Sequence, residues 1–225
     1  MSFIPKGAPV TISLMVVCGL IYLIQGATQQ QVTNLGLLYA PAVANGAWWR
    51  VITNAFIHGG GLHLLLNMGL LFALGQQLEQ AIGSVRFGLI YAGSIAAASL
   101  IVVVFAPNQP TLGASGAVMG VAVGLGIAYF LFSNSGRHQS LLMLVAMNLA
   151  LPLVMPGISF WGHLGGAVGG LLMVAVLLVW PQQLRKKQIS TGGVYSAERH
   201  PMAAQTVTVA AVLVVLMFIG SVILA

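Results

Sequence analysis

Three polar side chains capable of chemistry stand at the starts of long apolar runs: His63, Ser115 and His163. A serine hydroxyl is a weak nucleophile until a base takes its proton. A neutral histidine can be that base, so Ser115 and His163 form a candidate nucleophile–base pair. The tetrahedral intermediate of such an attack needs donors aimed at its oxyanion. Ser115 opens a helix, where backbone N–H groups have no partner one turn back and can face an anion. In His58-Gly59-Gly60-Gly61-Leu62-His63-Leu64-Leu65-Leu66-Asn67, His63 and Asn67 are four residues apart and share a helical face. The combination suits hydrolysis of an acyl bond.

Each group also has a blander use. A lone membrane serine commonly bonds a carbonyl of the preceding turn. A lone histidine can serve a helix–helix hydrogen bond or a proton relay. The pairing of Ser115 with His163 at one depth is what favours chemistry. A metal site at His58 and His63 is disfavoured, because they are five residues apart with no acidic ligand nearby. Neither a metal nor another cofactor is expected. The chain has no Asp, and its two Glu are Glu79 and Glu198. Neither Glu is placed to complete a triad, which leaves a dyad. Aspartyl chemistry is excluded, and no His-Glu-x-x-His zinc motif is present.

The elements carrying these groups are membrane spans. Of 225 residues, 59% are hydrophobic and 4% charged, against roughly 25% charged in soluble chains. So few charges cannot cover a soluble surface. The net charge of +6 rests on eight Lys and Arg. None lies on a face with interleaved aromatics, so no nucleic-acid partner is expected. Cys18 is the single cysteine and reads as a small buried hydrophobe. Met1–Pro9 shows no cleavable-leader pattern, so the first run is expected to remain a helix. A span needs about 20 apolar residues. Seven runs qualify, near 8–26, 62–82, 87–106, 115–132, 138–155, 161–180 and 203–224. The fold expected is an all-α polytopic transmembrane bundle. Its divisions are a six-helix core in 1–182, a basic cytoplasmic linker in 183–202 and an additional helix in 203–225.

Positive charge sets the orientation. With the N-terminus inside, Lys6, Arg86, Arg137, Arg185, Lys186, Lys187 and Arg199 are cytoplasmic, and Arg50 alone is external. The C-terminus is then outside. His63, Ser115 and His163 fall at the outer ends of spans two, four and six, in one leaflet. Gly116, Gly120, Gly124 and Ala128 make a small-residue stripe on span four; Gly162, Gly166 and Gly170 make one on span six. Such stripes let helix backbones approach closely in lipid, so these parallel helices are expected to pack together.

These residues resemble the rhomboid family of intramembrane serine proteases. The matching elements are Trp49-Arg50, His58 with His63 and Asn67, Gly75-x-x-x-Glu79-x-x-x-Gly83, Gly113-x-Ser115-Gly116 and His163-x-x-Gly166-x-x-x-Gly170. They cover residues ~45–170 in family order, and the extra span resembles the family's six-plus-one form. The resemblance implies Ser115 as nucleophile and His163 as base, then acid. It implies an oxyanion held by the Ser115 N–H with His63 and Asn67. It gives His58, Trp49 and Arg50 to shaping the external loop, and makes Glu79 a tie between span two and a neighbouring loop. Met119 stands where the family often has an aromatic stacked on the catalytic histidine, so that histidine is expected to be restrained less tightly. The implied partners are transmembrane protein substrates and the lipid bilayer, in a bacterial cytoplasmic membrane. The sequence carries no signal for an oligomeric state. Pro152, Pro156 and Gly157 mark span five as the expected gate. The competing readings are a non-catalytic relative that binds membrane helices, and a small transporter using Asn67, Asn148 and the histidines.

Overall fold

The computed structural model describes residues 7–133 and 136–179. The linker expected at 183–202 and the seventh helix expected at 203–225 lie outside the described residues. Within them the chain is helical, with a single isolated bridge, Leu38 to Thr111, and no strand. Among the described residues five helices are long and apolar enough to cross a membrane: Pro9–Ala27, Gly61–Ile82, Ser84–Phe105, Ser115–Phe132 and Phe160–Val179. The protein is an integral membrane protein with an all-α bundle fold.

The first helix, α1 (Pro9–Ala27), begins with Pro9 in its first turn, where the missing N–H costs no hydrogen bond. Three short helices follow in the long first loop: α2 (Gln31–Gly36), α3 (Ala40–Ala44) and α4 (Arg50–Thr53). The second span is α5 (Gly61–Leu70) continued through a π turn (Leu71–Gly75) into α6 (Gln76–Ile82). The motif Gly75-x-x-x-Glu79-x-x-x-Gly83 organises its lower end. A Cβ at Gly75 would lie 3.0 Å from Thr11 of α1, so glycine lets the two helices close up. Glu79 then caps α1. Its carboxylate accepts from the backbone N–H of Val10 (3.0 Å) and Thr11 (2.8 Å), and from the hydroxyls of Thr11 (2.8 Å) and Ser84 (2.6 Å). A carboxylate at a helix N-terminus satisfies orphan donors and meets the favourable end of the dipole. Gly83 turns the chain at φ +87°, a region glycine enters without strain.

The next two spans are α7 (Ser84–Phe105) and α8 (Ser115–Phe132). After α9 (Arg137–Ala150) and a 3-10 turn (Leu151–Leu153), α10 (Phe160–Val174) continues as a π turn to Val179. The two glycine stripes meet as expected. A Cβ at Gly116 would sit 3.1 Å from the Gly162 carbonyl, and one at Gly120 would sit 2.9 Å from the Gly166 carbonyl. A second seam joins α10 to α7, where a Cβ at Gly165 would stand 2.7 Å from Ala98 Cα and one at Gly169 would stand 3.0 Å from the Gly93 carbonyl. α10 thus lies backbone-to-backbone on two neighbours, a contact that lipid-facing side chains would forbid.

The fifth run departs from the expectation of a full span. α9 has 14 residues, about 21 Å at 1.5 Å per residue, against a hydrocarbon core of about 30 Å. Hydropathy continues to residue 155, but Pro152 cannot donate to a helical ladder, and the helix stops just before it.

Candidate active site

The long first loop is tied down before the chain reaches the candidate nucleophile. Trp49 Nε1 donates to the Leu35 carbonyl (3.1 Å), Arg50 Nη1 to the Leu37 carbonyl (2.7 Å), and Thr53 Oγ1 to the Gly36 carbonyl (2.8 Å). The next residue, Leu38, exchanges both backbone hydrogen bonds with Thr111, at 2.8 and 2.9 Å. Asn54 receives the Gly113 N–H on its own carbonyl (2.9 Å), while its side chain donates to Ser99 Oγ on α7 (3.0 Å). Trp49 and Arg50 therefore act on the segment 106–114 through the intervening stretch Leu35–Leu38. That segment delivers Ser115.

Ser115 is the first residue of α8. Gly113 precedes it at φ +113°, where a side chain would be strained and its Cβ would lie 2.7 Å from His63 Cε1. The glycine thus admits the His63 ring close to the Ser115 turn. Gly116 packs on Gly162, the residue before His163, so the close approach of α8 and α10 brings the two helix starts together. Ser115, His163, His63 and Asn67 line one cavity of about 570 Å³, which also takes in Met119, 4% exposed. In this conformation the Ser115 hydroxyl makes no hydrogen bond to His163. Catalytic hydrogen bonds commonly tighten only when substrate binds.

The two cavity histidines are held in opposite tautomers by backbone groups. His163 Nδ1 lies 2.9 Å from the Asn148 carbonyl oxygen. A carbonyl can only accept, so Nδ1 carries the proton and Nε2 of the neutral ring keeps its lone pair. His63 is the reverse. The Gly59 N–H donates to His63 Nδ1 (3.3 Å), so Nδ1 accepts and the proton of the neutral ring sits on Nε2. Nε2 is also the atom beside Gly113, since a Cβ there would lie 2.8 Å from it. One ring is set up to accept a proton and the other to donate a hydrogen bond. Asn67 donates one N–H to the His63 carbonyl (2.9 Å), which leaves its second N–H for the cavity.

His58 does not line this cavity. Its backbone N–H donates to Gln25 Oε1 (3.1 Å), and Gln25 Nε2 donates to its carbonyl (3.0 Å), so α1 clamps the turn that leads into α5. Its ring meets His63 edge-on at 5.4 Å. Burial, with the charge on His63 second, lowers the His58 imidazole from the usual 6.5 to about 4. Among the described residues no group of three or more His, Cys, Asp or Glu side chains forms a metal cluster. Glu79 caps α1 at the opposite end of its helix from His63, so its partner is a helix start rather than a loop.

Two participants escaped the sequence reading of the site. Gln25 is 1% exposed and holds the His58 turn; a glutamine near the end of an apolar run was its only signal. The Asn148 carbonyl is a backbone acceptor, which residue type does not disclose.

A family model for the rhomboid domain matches residues 45–180, more than half of the chain. RHOMBOID-like protein 4 of Arabidopsis thaliana is 35% identical over 151 residues, 65% of this chain and 38% of that protein. YdcA of Bacillus subtilis is 36% identical over 140 residues, 60% of this chain and 70% of YdcA. Rhomboid protease GluP of the same bacterium is 34% identical over 140 residues, 60% of this chain and 27% of GluP. The match thus spans well under half of the plant protein and of GluP. By its domain and its relatives, this chain belongs to the rhomboid family.

Proposed function

We propose that the chain is a serine-type endopeptidase that cleaves transmembrane-helix substrates near the outer membrane face. Ser115 Oγ attacks the scissile carbonyl while His163 Nε2 takes its proton. The oxyanion is held by the Ser115 N–H, His63 Nε2–H and the free N–H of Asn67. His163 then returns the proton to the leaving amine, and a water attacks the Ser115 acyl-enzyme by the same route in reverse. Among the described residues no carboxylate bonds His163; the Asn148 carbonyl takes that place. Met119 lines the cavity without a ring to stack on the base. The observation that carries the reading is the convergence of a nucleophile, a proton acceptor and two donors in one cavity, with each histidine in the tautomer its role requires.

The cavity lies between Leu62, Leu66 and Leu70 of α5 and Leu144, Asn148 and Leu151 at the end of α9. That supports lateral access for a helix from the bilayer, with α9 as the gate. The positive-inside count supports an N-in orientation, which puts Ser115 in the outer leaflet.

The test is cleavage of a single-span substrate in lipid vesicles. The proposal expects two fragments from the unaltered protein, and none from Ser115→Ala or His163→Ala. Substrate that binds yet stays intact with the unaltered protein would favour a non-catalytic helix-binding relative.

A further inference from the structure

We infer that Pro152 is a positioning residue for the base, acting through a hydrogen bond it cannot make. In an α-helix each N–H donates to the carbonyl four residues earlier. Residue 152 is four beyond Asn148 and, being proline, has no N–H. The Asn148 carbonyl is therefore left without its helical donor. His163 Nδ1 fills the vacancy at 2.9 Å.

The α-helical ladder breaks at this carbonyl and the chain continues as a 3-10 turn. Just before it, the Leu151 N–H donates to the Met147 carbonyl. Three residues on, the Val154 and Met155 N–H groups both donate to the Leu151 carbonyl, at 3.1 and 2.9 Å. The Asn148 side chain does not compete, since its Nδ2 donates back to the Leu144 carbonyl at 2.9 Å. His163 is 5% exposed, so its ring N–H and this orphan carbonyl each supply the partner that burial demands.

The consequence is chemical. The bond assigns the proton to Nδ1 and so leaves Nε2 free to accept from Ser115. It also joins α10, seated in the packed block, to the end of α9. Movement of α9 away from α10 removes the acceptor, so the orientation of the base depends on where α9 sits. The inference rests on the reading of Ser115 and His163 as a dyad.

The experiment uses the full chain in lipid nanodiscs, with ¹⁵N-labelled histidine and a serine-directed phosphonate probe. In the unaltered protein the neutral His163 ring is expected to show a protonated Nδ1 and a bare Nε2. Pro152→Ala restores an N–H aimed at the Asn148 carbonyl. It is expected to raise the Nε2-protonated population and to slow labelling of Ser115 by roughly tenfold, a small part of the 10²–10⁴ available to general-base catalysis. Placing the α-hydroxy analogue of alanine at 152 gives an ester, which again lacks the N–H. It is expected to rescue both readouts, whereas a purely helix-ending role for the proline ring predicts no rescue. An Nε2-protonated His163 in the unaltered protein, or an ester variant as slow as Pro152→Ala, would overturn the inference. If Pro152→Ala does not fold, the tautomer of the unaltered protein and the labelling rate of the ester variant decide it. Failure of the unaltered protein to label at Ser115 would overturn the dyad reading itself, and this inference with it.

Discussion

Between α8 and α10 there is no space for a side chain, and a Cβ at Gly120 would lie 2.9 Å from the opposing Gly166 carbonyl. α9 sits against the same α8 on different terms. Leu141 is its single buried residue, while Leu142, Met143 and Met147 are all more than 60% exposed. The first pair is locked by backbone contact, which has one geometry. The second is held by side chains with an outward face made for lipid. The contrast separates two tasks. The locked pair brings Ser115 and His163 to neighbouring helix starts; α9 walls the cavity and lends His163 one carbonyl. A site whose candidate nucleophile and base sit on the rigid seam can keep its geometry while its wall moves.

The largest test of that contrast is on the seam. Gly166→Val would drive a side chain into the Gly116 backbone, and is expected to destabilise by at least about 3 kcal/mol, read as a lost or lowered unfolding midpoint in detergent. His63→Ala removes one proposed oxyanion donor and leaves the seam alone. It should lower kcat by about 10²–10³-fold with the unfolding midpoint little changed; an unaltered kcat would remove His63 from the site.

Glu79→Gln weakens three hydrogen bonds at the α1 start and one from Ser84 at the α7 start, without touching either side of the comparison. A loss of about 2 kcal/mol in unfolding free energy is expected. His58 supplies a pH dependence. Its folded-state value of about 4 lies below the usual 6.5, so the unfolded chain takes up the proton more readily. The stability it contributes is complete above pH 6.5 and is lost as pH falls towards 4. The unfolding midpoint should fall over that window, and His58→Gln should flatten the slope. The smallest effect belongs to the outer face beyond α9. Leu153→Ala, at a position 81% exposed, should change stability by no more than about 0.5 kcal/mol. A large loss there would mean that this wall is packed against something and is not free to move.

How far the sequence disclosed this arrangement depends on what kind of group does each job. Ser115 and His163 were legible because small-residue stripes and helix starts are written in residue types. The seam of α10 on α7 was as plainly written, in the adjacent pairs Gly165-Gly166 and Gly169-Gly170, but only one member of each pair was read. The fifth span was overextended because hydropathy sums count apolar side chains and ignore the donor that Pro152 lacks. The bridge from Leu38 to Thr111 uses backbone groups of ordinary residues, so no side-chain pattern announces it. The Asn148 carbonyl is hidden for the same reason, although a proline four residues on is a trace of it that can be read.

Ser115 is proposed as a nucleophile activated by His163. Reaction of the purified protein with a fluorophosphonate, followed by mass spectrometry of its peptides, tests this most directly. The account predicts an adduct on Ser115 that is absent in Ser115→Ala and falls to background in His163→Ala. No adduct on Ser115, or equal labelling when His163 is gone, would contradict it.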